Sequence, residues 1–253
     1  MALLSLFLFT SLLSHIGHCA YVDMGIVNGS VVTANSRPYM VSVQKDGKHL
    51  CGGFLMSENF VMTAAHCWEA GVKLTVVVGS HELKKSKSAI SHMEVKLYHI
   101  HPKFDSENLL NDIMLLQLKK TIKKSKNINW ISIPKKMNQD VKAKQVCSIA
   151  GWGKKSENGG TSDRLMEVNV TVIDTKVCEK SWGTPFSVSS LVCTKGRGGF
   201  CQGDSGGPLV CQNTAVGIVS FTDADCKYPK NPYVYTKIST FLPWINCILG
   251  HAK

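Results

Sequence analysis

The chain has 253 residues, 44% of them hydrophobic and 19% charged, and its 29 lysines and arginines against 18 acidic residues give a formal net charge of +11. Such a composition excludes a disordered chain, which buries too little apolar surface to fold, and leaves one globular unit or two small ones. The basic excess points to anionic partners and says nothing about fold.

Residues 1–19 read as a secretory signal, with an apolar run from Ala2 to Leu13 that ends in the small-residue stretch Gly17-His18-Cys19-Ala20 but lacks a basic residue at its start. The run is shorter than the roughly 20 residues a membrane span requires, and no later segment qualifies. Without Cys19, nine of the ten cysteines remain, an odd number for an oxidising compartment. From Arg37 onward, short β-branched segments alternate with turn residues: 39–43, 60–63, 74–78, 113–118, 168–173 and 215–220. This pattern predicts an all-β fold of antiparallel barrels or sandwiches. Only 241–249 spaces its apolar residues as a helix does, with Pro243 tolerated in a first turn.

Three stretches carry chemistry. His66 closes Thr63-Ala64-Ala65-His66-Cys67. It is structural, a metal ligand or a base, and zinc fits poorly because no cluster with ligand spacing surrounds it. Asp112 stands at the mouth of the apolar strand 113–118, where a buried carboxylate needs a partner. Ser205 lies in Gly203-Asp204-Ser205-Gly206-Gly207-Pro208. That is either an ordinary glycine turn or a nucleophile whose neighbouring N–H groups, on Gly203 and Ser205, converge as an oxyanion hole.

Together with Gly151-Trp152-Gly153, these motifs in this order make the chain similar to trypsin/chymotrypsin-type serine proteases, and more closely to the granzymes and mast-cell proteases, from Ile26 to Trp244. The resemblance implies two packed six-stranded antiparallel β-barrels with a C-terminal helix. Its domains are a signal peptide (1–19), an activation propeptide (20–25) and a protease domain (26–253), whose barrels span about 26–132 and 133–253. It implies Ser205 as nucleophile, His66 as general base and Asp112 as the group that orients the histidine. Ser220 would support Asp112 and begin the stretch along which the substrate backbone would pair. Ile26, freed by removal of the propeptide, would form a buried ion pair with Asp204. The pocket for the residue before the scissile bond would be built from Gly199, Phe200, Ser220, Phe221, Thr222 and Tyr233. Gly199 stands where trypsin-like enzymes carry an acidic residue, so basic specificity is not expected, and Thr222 and Tyr233 stand where glycines leave a deep slot. Small to medium apolar side chains are the expected substrates; the alternative is that Phe200 and Tyr233 fill the pocket and leave a poor catalyst.

By analogy eight cysteines pair as Cys51–Cys67, Cys147–Cys211, Cys178–Cys193 and Cys201–Cys226. Cys247 is left over as a buried or capped thiol, or as the site of a disulfide dimer of a chain otherwise monomeric. Lysines gather at 84–87, 119–126, 135–136, 142–144 and 154–155, which favours a sulfated, heparin-like proteoglycan over nucleic acid as partner. Serpin-type inhibitors follow from the protease resemblance. Asn28-Gly29-Ser30 and Asn169-Val170-Thr171 are N-glycan acceptor triplets. No cofactor or metal is implied, because the loop 80–85 lacks a set of calcium-binding carboxylates. The expected location is a secretory or cytolytic granule, or the extracellular space. Competing functions are a non-catalytic polyanion-binding homologue and a digestive elastase-like enzyme.

Overall fold

Strands buried on both faces must close on themselves or stack, and here they close. The computed structural model describes residues 26–84, 91–183 and 188–251; the expected signal and propeptide lie outside the described residues. Seven strands come first: β1 (Ser30–Val31), β2 (Met40–Lys45), β3 (Lys48–Leu55), β4 (Phe60–Thr63), β5 (Leu74–Val78), β6 (Ser91–Ile100) and β7 (Met114–Leu118). Strands β2 to β7 form a closed antiparallel barrel in the order β2-β3-β4-β7-β6-β5. The β2–β3 hairpin turns on Asp46 and Gly47, both at positive φ (52° and 73°), the two-residue turn whose twist matches that of paired strands.

The second half contributes β8 (Val146–Gly151), β9 (Met166–Val172), α1 (Thr175–Trp182), β10 (Leu191–Lys195), β11 (Pro208–Cys211), β12 (Thr214–Phe221), β13 (Tyr233–Lys237) and α2 (Leu242–His251). Its strands run β9-β10-β13-β12-β11-β8, and the β8–β9 pairing closes the ring. Strand β1 attaches to β9, with Ser30 opposite Glu167, so the first strand of the chain belongs to the second barrel's sheet. The β11–β12 hairpin repeats the two-residue solution with Gln212 and Asn213 at φ 48° and 59°.

The sequence pattern predicts helix at the tail alone, and α1 corrects it. Eight residues are too few to display a helical apolar stripe, and local devices hold them instead. Asp174 caps the helix by accepting from the Lys176 amide at 2.8 Å, Gly183 ends it at φ 75°, and Cys178 ties it to β10 through Cys193. The tail helix α2 packs Leu242 and Ile245 into the first barrel's core, although it follows the last strand of the second. The four disulfides follow the pairing implied by the resemblance. Cys247 is exposed, contrary to the expectation of a buried thiol: it lies on the solvent side of α2, with Sγ 3.7 Å from Nδ1 of His251 one turn on.

Candidate active site

Asp112 ends the link into β7 and is fully buried, so its carboxylate needs donors, and it has three. The His66 backbone N–H reaches Oδ1 at 2.9 Å, the His66 ring reaches Oδ2 through Nδ1 at 2.7 Å, and the Ser220 hydroxyl donates to Oδ2 at 2.5 Å. The first two come from one residue and fix both the position and the rotation of the imidazole. The carboxylate can only accept when ionised, so Nδ1 carries the proton and Nε2 is left as the basic nitrogen. Ser220 belongs to β12, so this bond joins the two barrels, and the Thr236 hydroxyl of β13 adds a second tie to the Asp112 carbonyl at 2.9 Å.

His66 sits on a single turn, Ala65–Cys67, whose last residue is bonded to Cys51 on β3. The ligand atoms of Cys51, His66 and Cys67 lie within 4.8 Å of one another. Two of them are disulfide sulfurs, which carry no thiolate, so the trio does not fit a metal.

The loop with Ser205 is pinned on every side. Its carbonyl accepts from the Gly52 amide at 2.8 Å, Gly206 donates to Val219 at 2.8 Å, and Gly207 donates to Asp204 at 3.0 Å. Gly206 has φ 84°, and a Cβ there would lie 2.1 Å from the Thr63 hydroxyl. Gly203 has φ 95°. Among the described residues neither its N–H nor that of Ser205 has an acceptor within the protein. His66, Gly203 and Ser205 open together onto a cavity of about 220 Å³.

One support escaped the sequence reading. His49 on β3 bridges Ser42 (2.8 Å, at Nδ1) and the Gly203 carbonyl (2.9 Å, at Nε2). A carbonyl only accepts, so Nε2 bears the hydrogen, and burial lowers the pKa of the ring to about 4. Asp204 is wholly buried, accepting from the Gly153 and Cys201 amides at 2.8 and 3.0 Å. Burial raises its pKa to about 7 against the pull of those two bonds. A Cβ on Gly151 or Gly153 would fall 2.1 or 2.4 Å from this carboxyl group, which gives the Gly-Trp-Gly motif its physical reason. Ile26 is fully buried in the second core, and Val27 exchanges backbone bonds with Gly199. In this uncleaved chain the Ile26 nitrogen is an amide, not a charged terminus.

Beside Ser205 lies a second cavity, of about 200 Å³, lined by Phe200, Ser220, Phe221 and Thr222. The other two pocket residues lie behind it. A Cβ on Gly199 would sit 2.0 Å from the Tyr233 ring, so this ring fills the space where a residue at 199 would extend. The Tyr233 hydroxyl donates to the Cys226 carbonyl at 2.7 Å, and its ring packs 5.1 Å from that of Phe200. Burial pushes its phenol up to about 12. The base is closed, but the space next to Ser205 is open. The two glycan triplets stand apart from the site: Asn169 is exposed on β9, and Asn28 is exposed while donating to the Arg197 carbonyl. Among the described residues no helix is long and apolar enough to cross a membrane.

The trypsin family model matches residues 26–245. Granzyme B of Rattus norvegicus is 40% identical, over 87% of this chain and 89% of its own length. Cathepsin G of Homo sapiens is 36% identical over 90% and 89%. Among solved structures, neuropsin, a serine protease expressed in the limbic system of mouse brain, superposes with a TM-score of 0.82 at 29% identity, covering 88% of this chain and 100% of that one.

Proposed function

The chain belongs to the trypsin family of serine endopeptidases, and on that premise we propose that Ser205, His66 and Asp112 cleave peptide bonds after small to medium side chains. The observation carrying this reading is the Asp112 carboxylate that holds His66 by ring and backbone at the mouth of a cavity shared with Ser205. Ser205 attacks the scissile carbonyl as His66 Nε2 takes its proton, and the same nitrogen then protonates the leaving amine. Asp112 stays ionised and stabilises the imidazolium. The unpaired N–H groups of Gly203 and Ser205 receive the oxyanion, where one donor contributes about 3–4 kcal/mol of transition-state stabilisation.

Activation is the freeing of Ile26. An amine there, brought to Asp204, replaces two backbone amides as the sole compensation for a buried carboxylate and stiffens the loop that carries Gly203. Removal of residues 1–19 and then 20–25 would produce it. Substrate size is set by the closed base at Tyr233. Similarity to a granzyme supports storage in secretory granules, and the exposed lysines support binding to sulfated proteoglycan; inhibition by serpins and glycosylation at Asn169 belong to the same reading.

Active-site titration with a fluorophosphonate tests it, on protein beginning at Ile26 beside protein that retains residues 20–25. Stoichiometric labelling of the trimmed form alone, abolished in Ser205→Ala, is the expected outcome. Failure to label folded, trimmed protein would discard the catalytic reading and leave a polyanion-binding homologue.

A further inference from the structure

Of the side chains that line the cavity beside Ser205, Thr222 keeps a buried hydroxyl whose bonding capacity nothing among the described residues uses. The Ser220 hydroxyl is committed to Asp112 and the Tyr233 hydroxyl to the Cys226 carbonyl. The Asp223 carboxylate accepts from the Asn231 backbone and side-chain amides at 2.7 and 3.0 Å. Gln202 is exposed. Thr222 Oγ1, by contrast, is buried and has no hydrogen-bond partner among the described residues. A buried hydroxyl without a partner is an unpaid cost in the folded protein, and it persists only where something else recovers it.

We propose that Thr222 is a specificity-determining residue whose hydroxyl bonds the side chain before the scissile bond, selecting neutral hydrogen-bonding side chains such as Thr, Ser and Asn over apolar ones of the same size. This rests on the short-pocket reading above, keeps its size limit and replaces the apolar preference expected from the sequence. Thr222 lines the cavity, and rotation about its χ1 exchanges methyl and hydroxyl, which brings Oγ1 to a bound side chain. A hydroxyl both donates and accepts, so it serves an alcohol or an amide equally. A charged side chain gains nothing comparable. The floor is the Phe200 ring and the Cys201–Cys226 disulfide, and the one lining carboxylate, Asp223, is already engaged. Substrate therefore supplies the missing partner at the moment of binding, and an isostere that lacks it leaves Oγ1 unsatisfied in a site now closed to water.

The test uses protein beginning at Ile26, titrated for active sites, and peptides identical except before the scissile bond. Val and Thr form one size-matched pair, Leu and Asn another. In the parent, kcat/KM favours Thr over Val and Asn over Leu by roughly three- to tenfold, the effect of one neutral hydrogen bond. Thr222→Val, which keeps the shape and removes the hydroxyl, brings both ratios to one or below. Thr222→Ser, which keeps the hydroxyl, preserves them. Ratios at or below one in the parent, or ratios unmoved by Thr222→Val, overturn the role of Thr222 while leaving the short pocket standing. Preference for Phe or Arg over all four overturns the short pocket itself, and this inference with it.

Discussion

Two buried ionisable residues hold the Ser205 loop of the uncleaved chain, and their pKa values are moved in opposite directions. Asp204, raised from 3.8 to about 7, keeps in the folded state a proton that the unfolded chain releases, so its contribution to stability is greatest at low pH and is lost as pH rises through that window. His49, lowered from 6.5 to about 4, stays neutral when the unfolded chain becomes protonated, so its contribution is complete above 6.5 and is lost as pH falls toward 4. Over the shared window the two slopes oppose each other. Urea midpoints of the uncleaved chain across pH 4 to 7 separate them: Asp204→Asn makes stability climb more steeply with pH than in the parent, and His49→Gln makes it fall. A variant curve parallel to the parent's would show that the removed group does not titrate there. At this scale Ser205, His66 and Asp112 were legible as motifs in the sequence, whereas His49 was not. An alternating strand residue carries no mark of a partner 154 positions away.

Elements show the same division. Strands at 60–63 and 74–78 have the boundaries the sequence indicates, because continuous apolar runs between turn residues admit few other states. The ten residues of β6 escaped because they mix polar and apolar types on a strand whose residues 92–100 are all exposed or half-buried. Helix α2 was legible, but its destination was not: it packs across to the first barrel, where His101 stacks edge-on against Phe241 and Trp244 at 5.0 and 5.2 Å. Ile245, fully buried there, is therefore a tie between the chain's end and its first half. Ile245→Ala is expected to lower stability by about 2–5 kcal/mol, read from the urea midpoint at unchanged slope. A loss under about 0.5 kcal/mol would mean that the helix frays without consequence for the barrel.

The molecule as a whole is a cation. Lys119, Lys120, Lys123, Lys124 and Lys126 are all exposed along one short stretch after β7, with Lys124 lying 4.1 Å above the Trp130 ring. Lys119 alone of the five forms an ion pair among the described residues, with Glu94 at 2.6 Å. Clustered, unneutralised charge attracts polyanions through a field that salt screens over about 8 Å at physiological strength. Retention on immobilised heparin should fall steeply with salt, and reversing Lys123, Lys124 and Lys126 to Glu should lower the eluting concentration while active-site labelling is unchanged; salt-independent retention would require a different contact. The sequence by itself determined the fold class, the motifs around His66, Asp112 and Ser205, the disulfide partners through resemblance and the basic character, because each is written in residue types at short spacing. Tertiary structure alone decided that His49 bridges Ser42 and the Gly203 carbonyl, that Tyr233 closes the space behind Gly199, that Cys247 faces solvent and that Thr222 keeps an unspent hydroxyl. Each of these depends on which side chains from distant strands compete for the same volume or the same hydrogen bond, and that competition exists only once the barrels have closed.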